Sequence, residues 1–306
     1  MSQPTRGATR PFGAVLTAMV TPMTDDGAVD LDASVRLARS LVAQGNDGLV
    51  LNGTTGEAPT THAPEKAELV RAVADAVGKD AVVLAGAGSN DTAHAVRMAE
   101  QAAEAGADGL LVVAPYYSRP SQPGLVAHVK AVADATDLPV MLYDVPGRTG
   151  VRFAPQTLEA LAAHDRVVAM KDATGDPYAA AKAIESTGLA WYSGDDAALL
   201  TLLALGGVGV VSVSAHVAAE RFAAVVAAWD AADHAEALRL FRSVVPVIDA
   251  LNGAGFQAVA AKAACEIAGL IPTRATRLPL IPATDAEVEG IRDGMRAAGL
   301  LDVALH

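Results

Sequence analysis

A chain of 306 residues that is 52% hydrophobic has enough apolar side chain for one large core or two modest ones, which excludes a disordered or fibrous protein. Its 23 basic and 35 acidic residues leave a formal charge of −12 with no run of Lys or Arg, so nucleic acid and anionic membrane are repelled at long range and small molecules are the expected partners. The single cysteine, Cys265, builds no disulfide framework and lies in an apolar helical pattern, as expected of a buried thiol in a reducing cytoplasm.

The chain opens "MSQPTRGATRPFGAVLTAMV". Two arginines before a short apolar run imitate a signal peptide, but the run leads into "TPMTDDG" with no small-residue cleavage site. Residues 1–12 are therefore expected to form a flexible arm and the apolar run a first strand. Strand-like runs follow from Ala14, Gly48, Ala81, Gly109, Pro139, Arg166, Leu189 and Val208, without polar alternation, so both faces should be buried. No apolar stretch is long enough to span a bilayer.

Amphipathic helical patterns lie between the runs. "APEKAELVRAVADAVG" has Pro64 suited to a first turn and Gly78 to a C-terminal cap, and "DTAHAVRMAEQAAEAG" closes on Gly106. Strand and helix alternate eight times with a repeat of roughly 30 residues, the pattern of parallel βαβ units. The expected fold is a (β/α)8 TIM barrel over residues 13–231. An open doubly wound sheet is disfavoured, because no G-x-G-x-x-G follows the first strand. Residues 232–306 read as a three-helix extension whose alternating charges resemble solvated faces, with no chemistry expected there.

In such a barrel the reacting groups sit on the loops after the strands. Thr54 and Thr55 follow the second strand, Tyr116 and Tyr117 the fourth, Tyr143 and Arg148 the fifth; Lys171 ends the sixth and Asp195 follows the seventh. An ammonium desolvated in an apolar barrel is pushed toward free amine, which attacks carbonyls to form a Schiff base. The other reading of Lys171 is an ion pair with the adjacent Asp172. The backbone N–H groups of "GTTGE" suit a carboxylate, although such a turn also serves simply to cap a helix. Arg148 offers a planar fork for a carboxylate or a surface salt bridge, and Asp195 in "SGDD" also reads as a helix cap. No His, Cys or Asp cluster has zinc spacing, so no metal is expected, and Schiff-base chemistry on a lysine amine needs no organic cofactor.

The motifs "GTTGE", "PYY", "YDVPGRTG", "KDATG" and "SGDD", in that order, resemble those of the dihydrodipicolinate synthase and N-acetylneuraminate lyase family of pyruvate-dependent class I aldolases, from "LTAMVTP" through "VVSVSAH". The resemblance implies that Lys171 forms an imine with pyruvate and that Tyr143 passes protons, linked to Thr54 and to Tyr117 of a neighbouring subunit. It further implies that Thr55 and the backbone at Val211 hold the pyruvate unit, with Gly194 and Asp195 beside the substrate, and that Arg148 receives the carboxylate of aspartate semialdehyde. A homotetramer of two tight pairs is implied as well. Members that act on sugar acids, and a non-catalytic keto-acid-binding barrel, are the alternatives; an arginine at 148 favours a carboxylate-bearing acceptor over a neutral sugar. At the positions where lysine-inhibited members bind their feedback ligand with a histidine and a glutamate, this chain has Lys66 and His94, which implies weak or absent inhibition by lysine.

Overall fold

The computed structural model describes residues 10–253 and 255–301. Each strand-like run becomes a short parallel strand followed by at least one helix. The first half comprises β1 (Val15–Ala18), α1 (Leu31–Ala43), β2 (Gly48–Leu51), α2 (Ala63–Val77), β3 (Val82–Gly86), α3 (Thr92–Glu104), β4 (Gly109–Val113) and α4 (Gln122–Asp134). The second comprises β5 (Val140–Asp144), α5 (Pro146–Thr149), α6 (Pro155–Ala162), β6 (Val167–Asp172), α7 (Pro177–Thr187), β7 (Ala190–Ser193), α8 (Leu199–Ala204), β8 (Gly209–Ser212) and α9 (Ala215–Asp230). Beyond them lie α10 (His234–Asn252), α11 (Gln257–Ile267) and α12 (Asp285–Ala297). The strands pair in sequence order and β8 closes on β1, so the sheet is a closed (β/α)8 barrel.

Strand alternation separates two cores. Leu16, Met141, Ala169, Tyr192 and Val211 fill the barrel, while their neighbours Val15, Leu142, Met170, Trp191 and Val210 face the helices. Helix ends follow their local chemistry: Pro64 sits in the first turn of α2, which stops at Gly78 with φ +57°, and the Asp91 carboxylate caps α3. The arm expected over residues 1–12 falls partly outside the described residues, and its last part is packed. Arg10 pairs with Asp230 through two nitrogens, its Nη2 donating at 2.9 Å, and buried Phe12 plugs the N-terminal end of the barrel. Among the described residues no single helix is long and apolar enough to cross a membrane.

Candidate active site

Tyr143 on β5 pairs in register with Lys171 on β6, and both point into the barrel near its C-terminal end. A bulge makes this possible. Val140 pairs with Val167 and Met141 with Ala169, so the extra residue Val168 rephases β6 and turns Ala169 and Lys171 inward. Asp172 consequently faces outward, where its carboxylate accepts from Trp191 Nε1 at 2.9 Å and from the Thr174 N–H at 2.8 Å. The ion-pair reading of Lys171 is thereby removed.

The Lys171 side chain is buried and its ammonium lies over the Tyr143 ring, 4.3 Å from the centroid. Burial pulls its pKa from 10.5 to about 8; the Asp196 carboxylate opposes that shift and the Arg148 guanidinium adds to it. The amine is therefore partly free at neutral pH and attacks a carbonyl far faster than a solvated lysine. The sign is fixed: only the deprotonated amine reacts. Imine formation with pyruvate, sampled by rapid quench into borohydride and mass spectrometry, is expected to accelerate about tenfold per pH unit below 8 and to level off above it. A profile that keeps rising to pH 10 would mean that the lysine is not desolvated.

The Tyr143 phenol is pushed up by burial, while the Arg148 guanidinium and the nearby Thr54 hydroxyl pull it down. It stays protonated at neutral pH and is placed to donate. Thr54 and buried Thr55 ride on the turn after β2, and Val211 lies on the inner face of β8. Gly194 is tightly placed: a Cβ there would sit 3.0 Å from Lys171 Cγ and 3.0 Å from the Asp172 carbonyl oxygen, so a side chain would press on the lysine stem. Asp195 is exposed and caps the next turn by accepting from the Ala197 N–H at 3.1 Å. Its neighbour Asp196 is the buried one, accepting from the Ser214 N–H at 2.8 Å, and its charge is the one felt by Lys171. Of the two carboxylates in "SGDD", the sequence reading chose the cap.

Above this floor opens a cavity of about 490 Å³, lined by Thr54, Tyr116, Tyr143 and Arg148 and extending to Lys66, Ser89 and His94. Lys171 is not among the residues that line this cavity; its ammonium lies over the ring of Tyr143, which does line it. Arg148 stands on the single-turn helix α5, which ends at Gly150 with φ +73°. Its guanidinium lies 4.8 Å from the Phe256 ring centroid and donates from Nη2 to Gln257 Oε1 at 3.2 Å. Asn252 donates to Asp196 at 3.2 Å. The C-terminal extension, in which no chemistry is expected, thus packs side chains against the residues of the site. Nothing local in "FQAVAAK" signalled this. Tyr117 is 88% exposed at φ +71° and stands outside the cavity of its own chain. Lys66 is half-buried and donates to the Ala58 carbonyl at 2.9 Å, with its pKa lowered chiefly by burial. Among the described residues no group of three or more His, Cys, Asp or Glu could hold a metal ion.

The barrel is closed and parallel, and the family it matches gives its class: a lyase of the aldolase type. Residues 11–298 match the model of the dihydrodipicolinate synthetase family, and the chain belongs to that family. It is 55% identical over 291 residues to the 4-hydroxy-tetrahydrodipicolinate synthase of Bifidobacterium animalis subsp. lactis, covering 95% of each chain. Among solved structures it resembles the lysine-bound enzyme of Cyanidioschyzon merolae (TM-score 0.92, 40% identity, 96% of this chain and 100% of that one). The chloride-inhibited, pyruvate-complexed enzyme of Acinetobacter baumannii matches with a TM-score of 0.90 at 36% identity, over 94% of this chain and 99% of that one.

Proposed function

We propose that the chain performs the reaction of a 4-hydroxy-tetrahydrodipicolinate synthase in lysine and diaminopimelate biosynthesis, condensing pyruvate with L-aspartate 4-semialdehyde through an imine on Lys171. The observation that carries this reading is the desolvated Lys171 amine against the Tyr143 ring, together with the Arg148 guanidinium at the same mouth. The amine adds to the pyruvate carbonyl carbon and water leaves. Loss of a methyl proton then gives the enamine, with the imine nitrogen as electron sink. The enamine carbon bonds to the aldehyde carbon and the alkoxide takes a proton from Tyr143, recharged through Thr54. The amine of the acceptor finally attacks the imine carbon, closes the ring and displaces Lys171. Thr55 and the backbone at Val211 hold the pyruvate unit, with Gly194 giving it room.

Arg148 is the clamp for the acceptor's carboxylate, with its fork steered by Phe256 and Gln257. Arg148→Ala is expected to raise KM for aspartate semialdehyde by about tenfold to a hundredfold, because a charge-assisted bidentate pair is worth about 1.5–3 kcal/mol. KM for pyruvate should stay within twofold. An equal rise in both constants would remove Arg148 from the acceptor site.

The exposed Tyr117 is read as the relay hydroxyl of a neighbouring subunit in a cytoplasmic homotetramer of two tight pairs. Lys66 and His94 at the far end of the cavity make it a poor host for the ammonium groups of lysine. Turnover is expected to be unaffected by sub-millimolar lysine in a steady-state assay. Half-inhibition in that range would contradict the reading.

A further inference from the structure

The turn that carries Thr54 and Thr55 ends in a residue with two unusual features. Glu57 is 1% exposed, and its backbone sits at φ +56°, a left-handed conformation costly for a residue with a long side chain. The turn closes by hydrogen bonds from the Glu57 N–H to the Thr54 carbonyl at 3.1 Å and from the Ala58 N–H to the Gly53 carbonyl at 3.2 Å. Those bonds are local and would allow the turn to rock about its ends. One anchor is the Thr21 hydroxyl, which donates to the Gly56 carbonyl at 2.8 Å; the other comes from the far end of the chain.

Glu57 Oε1 pairs with the ammonium of Lys262 on α11, and both side chains are fully buried. Oε2 accepts the Arg277 backbone N–H at 3.0 Å. Lys262 is fixed in turn by donating to the Ala275 carbonyl at 2.6 Å. The Arg277 guanidinium donates to the Thr60 carbonyl at 2.9 Å, the Gly27 carbonyl at 2.7 Å and Glu65 Oε2 at 2.9 Å. One carboxylate is therefore gripped from two directions, and the grip extends to the loops after β1 and β2. Apolar residues of similar size would fill this space with no loss of stability, but they would not dictate direction. Charge-assisted hydrogen bonds do.

We propose that Lys262 and Arg277 are positioning residues for the reaction: by seating Glu57 they hold the turn so that the Thr54 hydroxyl stays beside Tyr143 in the lining of the cavity. This rests on the reading of Thr54 as a relay hydroxyl. The C-terminal extension then tunes proton transfer without touching substrate.

The single variant Lys262→Met would strand a buried carboxylate and is a poor test. The double variant Glu57→Gln/Lys262→Met removes both charges and keeps the volumes. In the full-length protein it is expected to unfold near the wild-type temperature and to trap pyruvate on Lys171 normally, yet to lose on the order of tenfold to a hundredfold in kcat. Placed on Thr54→Ala, the same pair should cost no further turnover, since the damage is already done. Wild-type kcat in the double variant, or an equal loss on the Thr54→Ala background, overturns the proposal. If Thr54→Ala itself turns over at the wild-type rate, the relay reading fails instead. Hydrogen exchange of the 53–57 amides then decides the seat: at least tenfold faster exchange in the double variant supports it, and unchanged exchange overturns it.

Discussion

Lys171→Met is expected to lower turnover by on the order of 10⁴-fold or more while the protein unfolds at or above the wild-type temperature below pH 8. Both halves follow from one geometry. The amine is the only nucleophile on β6 facing the barrel, so its loss removes the covalent step rather than weakening it. The displacement of its pKa from 10.5 to about 8 corresponds to roughly 3 kcal/mol by which burial disfavours the ammonium. A lysine whose folded pKa lies below its unfolded value subtracts that amount from stability at pH values under about 8 and progressively less above. Methionine keeps the apolar stem and carries no charge, so the penalty disappears with the activity. A variant that lost both turnover and many degrees of thermal stability would indicate that the lysine was a structural element.

Tyr143→Phe is expected to lower kcat by about 10²–10⁴-fold while pyruvate still forms its imine. The ring face on which the Lys171 ammonium rests is retained, so the nucleophile keeps its surroundings, and only the hydroxyl near Thr54 is lost. Tyr117→Phe should act in the same direction although its side chain is exposed in the single chain. Mixed subunits separate the two roles. When Tyr143→Phe and Tyr117→Phe chains are dissociated and reassembled together, half of the pairs contain one site with both tyrosines intact, and roughly a quarter of wild-type activity should return. No recovery would place Tyr117 outside the neighbour's relay.

The barrel was legible because its signals are local. Runs of Val, Leu, Ala and Gly gave all eight strands, Pro64 and Gly78 bracket α2, and Thr54, Tyr143, Arg148 and Lys171 lie on or just after the strands to which the pattern assigns them. What the sequence hid depends on phase or distance. The bulge at Val168, on which the inward turn of Lys171 depends, has no residue signature, and "GDD" does not say which aspartate caps and which is buried. Arg148 and Gln257 are 109 residues apart, and Glu57 and the Arg277 N–H are 220 apart. A helix that reads as solvated by its charge pattern can still bury one lysine completely when a carboxylate from a distant turn meets it. Residues 10–12, read as part of a loose arm, are ordered for a similar reason: Asp230 and the barrel floor are remote in sequence and adjacent in space.

The central claim is the covalent one, and it is tested most directly by mass spectrometry of the protein incubated with pyruvate and borohydride, run beside Lys171→Ala. The account predicts a single pyruvyl adduct that maps to Lys171 and is absent from the variant. An unmodified wild-type protein, or an adduct that persists in Lys171→Ala, would contradict it and leave the buried amine without a chemical role.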